Sequence, residues 1–161
     1  MLKINSALVV IVLLLFAGCQ STPTSDVIVK HVQDGDSFIA VENGKEITIR
    51  LFGVDCPEKG MDFANNARQF TKSAIEGKSI TYEAVNKDRY GRTIALVHTP
   101  NGDLLNILLL ENGLAHHYTQ YSDDKDFAFA EKKAKDANRG IWSMKNVVKP
   151  WDFRKQKRNR N

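Results

Sequence analysis

Cysteine is scarce in this 161-residue chain: Cys19 and Cys56 are the only two, too few for a disulfide framework to replace a packed core. The four histidines include His31, His98 and the pair His116-His117. None has the His-plus-carboxylate spacing of a zinc site. No internal repeat and no low-complexity block is present, which leaves solenoid and fibrous architectures without support. Long apolar runs are missing too, apart from Ala7 to Gly18. That run follows Lys3 and has the length of a signal-peptide core, short for a membrane span. What remains is ordinary for one globular domain: 42% hydrophobic and 26% charged residues.

The apolar run ends in "LLFAGCQS", with small residues before Cys19. This resembles the lipobox of bacterial lipoproteins, although Phe16 stands where leucine is more usual. The resemblance implies lipidation of Cys19 and an exported chain anchored to the cell envelope. Cys56 is then a lone thiol. The expected organisation is a signal peptide over 1–18, a lipidated cysteine and polar tether over 19–26, a folded domain over 27–144 and a basic tail over 145–161. That tail holds seven basic residues against Asp152, so it carries more than the whole chain's net charge of +4. It suits a polyanion, nucleic acid or anionic lipid, and equally a solvated terminus.

Within the domain, "VIVKHV", "SFIAV" and "EITIRLF" read as strands, and Asn43-Gly44 between the last two reads as a tight hairpin turn. Phe63, Ala67, Phe70 and Ala74 recur at helical spacing, with Gly77 at the C-terminal end. Two more strands follow in "SITYEAV" and "TIALVH", then helices over 104–111 and 127–138. The expected class is mainly-β α+β: a five-stranded OB-fold barrel with three packed helices.

Three strand ends carry charges that neither period explains: "DGDS", "RLFGVDCPE" and "DRYGR". Singly, each reads as a turn or a strand stop. Together, carboxylates at Asp36, Asp55 and Glu58 and arginines at Arg50 and Arg92 supply what phosphodiester cleavage requires. The reaction needs a proton acceptor for water, a cation beside the phosphate and fixed donors for its oxygens. Carboxylate oxygens favour a hard cation, and the guanidinium fork grips two phosphate oxygens at once.

"VQDGDSFIA", "IRLFGVDCPE", "DRYGR" and "ENGLA", in that order, resemble the staphylococcal nuclease family from about Val27 to Trp142. The resemblance implies Ca²⁺ held by Asp36, Asp55 and the main-chain carbonyl of Cys56. It makes Glu58 the residue that orients or deprotonates water and sets Arg50 and Arg92 on the phosphate. The implied activity is low-specificity cleavage of DNA, with RNA as a second substrate, leaving 3′-phosphate ends. Arg89 and Tyr121 are the further candidates for contact with nucleic acid. Thr119 replaces one tyrosine of the family's nucleotide-contacting pair, with Tyr118 one residue away. A monomer is expected, with nucleic acid and, through its lipid, a membrane as partners. The rival reading is an OB-fold lipoprotein that binds nucleic acid without cutting it.

Overall fold

The computed structural model describes residues 25–160. Five strands close a barrel: β1 (Ser25–Val32), β2 (Ser37–Glu42), β3 (Lys45–Leu51), β5 (Ser79–Lys87) and β6 (Thr93–His98), in the order β1-β2-β3-β6-β5. Neighbours run antiparallel except β3 and β6, which are parallel. The five-stranded barrel expected from the sequence is present.

Local sequence explains the pairing. Asn43 and Gly44 take φ of 50° and 78°, as the turn joining β2 to β3 with Glu42 opposite Lys45 requires. In β1, Val27 and Val29 point inward, and a bulge between Val29 and His31 inserts one residue, so Val32 is also buried. Thr93, Ala95 and Val97 alternate inward along β6.

Helix α1 (Ala64–Ile75) buries Ala67, Thr71 and Ile75, spaced four apart along one stripe. α2 (Leu105–Glu111) packs on α3 (Lys125–Asp136). The start of α3 is set by Asp124, whose carboxylate accepts from the N–H groups of Asp126 and Phe127 at 2.8 and 3.2 Å. Two short strands unforeseen from the sequence, β4 (Val54–Asp55) and β7 (His116–His117), pair antiparallel and tie the α2 end of the molecule to the site. They are too short for periodicity to reveal.

A 3₁₀ turn over Gly140–Ser143 follows. Its glycine is required: a Cβ at Gly140 would lie 2.1 Å from the Gly113 carbonyl oxygen, which accepts from the Ile141 N–H at 2.9 Å. The segment expected as a tail then forms a fourth helix, α4 (Pro150–Arg158). Pro150 at its first turn, Asp152 near its start and Lys155, Lys157 and Arg158 near its end match the chemistry of helix termini. Among the described residues no helix is long and apolar enough to cross a membrane. The segment expected as a signal peptide, and Cys19, lie outside the described residues.

Candidate active site

The barrel brings the first two acidic motifs to one place. Asp36 ends the β1–β2 loop, and the next residue, Ser37, is the cross-strand partner of Arg50 on β3. The Asp36 carbonyl accepts from the Leu51 N–H at 2.9 Å, which fixes the loop against β3. Helix α1 holds the same loop from below, with Thr71 Oγ1 donating to the Gly35 carbonyl at 2.6 Å. Glycine is needed there, because a Cβ would sit 2.7 Å from both Cys56 Sγ and Ala67 Cβ. Asp55 arrives on β4, opposite His116 of β7.

An alternating row of charges results. Arg50 Nη1 donates to Asp36 Oδ1 at 2.6 Å and its Nη2 to Asp55 Oδ1 at 2.7 Å. The Cys56 N–H donates to Asp36 Oδ2 at 2.9 Å and the Ser37 hydroxyl to Asp36 Oδ1 at 3.1 Å. Beyond Asp55 the row continues through a residue that sequence reasoning did not select. Arg154 of α4 donates from Nη1 and Nη2 to the two oxygens of Asp55 at 3.0 and 2.9 Å, and from Nη1 to Glu58 Oε1. The order is Asp36, Arg50, Asp55, Arg154, Glu58.

These pairs compensate for burial. The side chains of Asp36, Asp55 and Arg50 retain only 4%, 1% and 15% of their exposure, and an unpaired charge at that depth would be costly. Burial pushes the Asp55 carboxyl above the usual carboxylate range, opposed by the hydrogen bond from Arg154. Burial alone would lower the Arg50 guanidinium, but Asp36 and Asp55 outweigh it and the net direction is up. Asp34, although exposed at the surface, is pushed up to about 7 by the crowding around its carboxyl and by the neighbouring Asp36 charge.

The third motif keeps company of its own. Arg92 pairs through Nε with Asp88 at 2.7 Å, and its guanidinium stands 5.7 Å from the Tyr90 ring centre. It directly precedes Thr93, the β6 partner of Ile49, so the parallel β3–β6 pairing brings it near the Arg50 end of β3. Arg89 donates to the Tyr90 hydroxyl at 2.7 Å on the exposed turn. Tyr121 is 63% exposed and meets Tyr118 edge-on at 4.8 Å. Tyr118 is also stacked on Trp151 of α4, 4.8 Å away and 3° from parallel.

The donor set fits a hard divalent cation. Asp36 and Asp55 converge on one positive group, Arg50, and offer carboxylate oxygens, the ligand type such cations prefer while keeping several waters. Among the described residues no group of three His, Cys, Asp or Glu side chains closes a cage, so a cation here would rely on main-chain oxygen or water for its remaining positions. A soft metal is disfavoured at Cys56. Its thiol packs at Gly35 and burial pushes it well above its ordinary range, so no thiolate is on offer. His116 stands edge-on to Trp142 and Trp151, at 4.9 and 5.7 Å, making both tryptophans packing anchors for the C-terminal segment.

An OB-type barrel with buried carboxylates bridged by arginine at its strand ends defines a class, the OB-fold nucleases. The chain belongs to the staphylococcal nuclease family: residues 48–144 match the family described as staphylococcal nuclease homologue. A protein of Escherichia coli named as an uncharacterized endonuclease is 34% identical over 129 residues, covering 80% of this chain and 84% of its own. A staphylococcal-like nuclease of Arabidopsis thaliana is 33% identical over 134 residues, 81% of this chain and 41% of that longer protein. A probable staphylococcal-like nuclease of rice, Oryza sativa subsp. japonica, is 34% identical over 115 residues, covering 71% and 34%.

Proposed function

We propose that this nuclease is calcium-dependent, has little sequence specificity, and cleaves DNA and also RNA by water attack that leaves 3′-phosphate ends. The observation that carries the reading is the bridging of Asp36 and Asp55 by one guanidinium, which sets hard anionic ligands and a phosphate-gripping fork side by side. Asp36, Asp55 and the Cys56 carbonyl would hold the cation, whose bound charge would offset the negative charge gathering on the phosphate. Arg50 uses two N–H groups on its carboxylates, leaving guanidinium donors for equatorial phosphate oxygens. Arg92, steadied by Asp88, supplies a second fork from the turn that precedes β6. Glu58 accepts the proton of the attacking water, which lies in line with the departing 5′-oxygen. Tyr121 and Arg89, both exposed, serve the flanking nucleotides.

We further read the apolar leader and Cys19 as a lipoprotein signal that anchors a monomeric enzyme to the envelope. Replacing Cys19 with Ser should leave an active enzyme that no longer partitions with membranes; retention of that variant by membranes would overturn the anchor.

The test of the activity is digestion of end-labelled single-stranded DNA with calcium and with chelator, followed by assignment of the ends. Cleavage that needs calcium and leaves 3′-phosphates is expected. Binding without any cleavage would make the chain a nucleic-acid-binding module, and full activity in chelator would remove the metal.

A further inference from the structure

Arg154 lies where the proposed chemistry needs open oxygens. Its guanidinium engages both oxygens of Asp55 and one of Glu58, the groups assigned above to the cation and to the attacking water. Two N–H groups of Arg154 and one of Arg50 already fill three of the roughly four lone-pair sites on the Asp55 carboxylate, and a guanidinium docked there repels a second cation. A second contact of the same helix points the same way. Trp151 covers a face of Tyr118 by parallel stacking, and Tyr118 adjoins the exposed Tyr121 proposed to meet a nucleotide. Helix α4 therefore covers both the acidic groups and one face of the tyrosine beside them.

The helix is also built to leave. Of its nine residues only Pro150 is buried. It is held by the Arg154 ion pairs and the Trp151 contacts with His116 and Tyr118. The Arg154 side chain keeps 34% of its exposure and Glu58 36%, so that pair is partly screened, while the buried Asp55 keeps Arg50 as a partner when Arg154 leaves. Undocking α4 exposes Pro150 and the half-buried Trp151 and Phe153, but none of the residues that fill the barrel core.

We propose that α4 is an autoinhibitory latch in which Arg154 competes with the divalent cation for Asp55 and with water for Glu58. This rests on the metal-dependent reading of the site. Binding of the cation and undocking of α4 are then linked: each favours the other by the same factor. The resting enzyme binds calcium less tightly than its carboxylates alone would allow.

The experiment is a calorimetric titration of calcium into the full chain and into Arg154→Ala, with Asp55→Asn as the control for heat arising at this site. Fluorescence of the C-terminal tryptophans follows the same titration, with Trp151→Phe used to assign the signal. The latch predicts that Arg154→Ala binds calcium more tightly, roughly five- to 150-fold for a coupling of ordinary size, and that calcium makes Trp151 more accessible to acrylamide in the parent. Arg154→Gln, which removes the charge but keeps a polar side chain, should repeat the gain, which guards against a fault peculiar to one point variant. Asp55-dependent calcium binding of equal or lower affinity in both variants, or a Trp151 signal indifferent to calcium, would overturn the latch and leave the nuclease reading standing. No calcium binding by any of the proteins would remove the metal reading and the latch together.

Discussion

At the scale of single residues, Arg50 is the most constrained group in the site, because two buried carboxylates depend on its fork. Arg50→Ala leaves Asp36 without its guanidinium while Asp55 retains Arg154. Losing one partner from a buried pair costs about 3–5 kcal/mol, measurable as a shift in urea unfolding. Arg50→Lys keeps the charge but loses the fork. Turnover should then fall by roughly 10²–10³, with affinity for an uncleavable analogue nearly unchanged; a parallel loss of both would make Arg50 a general phosphate contact. A different residue carries the α2 side of the fold. Asn106 is fully buried, donating to the Phe52 carbonyl at 2.8 Å and accepting from the Val97 N–H at 3.1 Å. Asn106→Leu should lower stability by roughly 1–3 kcal/mol for each group left unsatisfied. Asp36, Arg50 and Asp55 were legible because strand alternation and the turn residues located the strand ends where they meet. Asn106 was not, since an amide in an apolar helix gives no sign of which carbonyl it reaches.

At the scale of elements, β7 and α4 form a unit that should respond to pH. Burial pulls His116 down to about 4 from its usual 6.5 and, helped by Lys135 and Lys149, outweighs the opposing pull of Glu131. The unfolded chain takes up a proton near pH 6.5 that the folded chain refuses until about pH 4. The stability tied to neutral His116 is therefore full above 6.5, shrinks as pH falls, and is gone below 4, a change of roughly 3 kcal/mol at most. His116→Gln removes the titration, so the parent should lose stability relative to this variant across that window; parallel pH profiles would contradict the assignment. The α4 helix itself was announced by Pro150 and the charges at its ends. Its destination was hidden, because Arg154 and Asp55 lie 99 residues apart and no periodicity relates them. Arg92 shows the converse: a local partner at i−4, Asp88, holds it, so its resting geometry does not display the phosphate role read from its motif.

At the scale of the whole molecule, charge is segregated: four carboxylates, Asp34, Asp36, Asp55 and Glu58, gather at the site, while Lys155, Lys157, Arg158 and Arg160 stand exposed along and beyond α4. If those cations meet the substrate's backbone, changing them to Gln should flatten the salt dependence of single-strand affinity by about 0.7 in log–log slope for each phosphate no longer neutralised. An unchanged slope would assign them elsewhere. The central claim is that this barrel assembles a base, a cation site and arginine forks for hydrolysis, and Glu58→Gln tests it most directly. The variant keeps size and hydrogen bonding but removes the proton acceptor. Single-turnover cleavage of single-stranded DNA, at calcium high enough to saturate parent and variant alike, is to be measured beside affinity for an uncleavable analogue. The account predicts a fall in rate of roughly 10²–10⁴ with affinity unchanged; cleavage at the parental rate would contradict it.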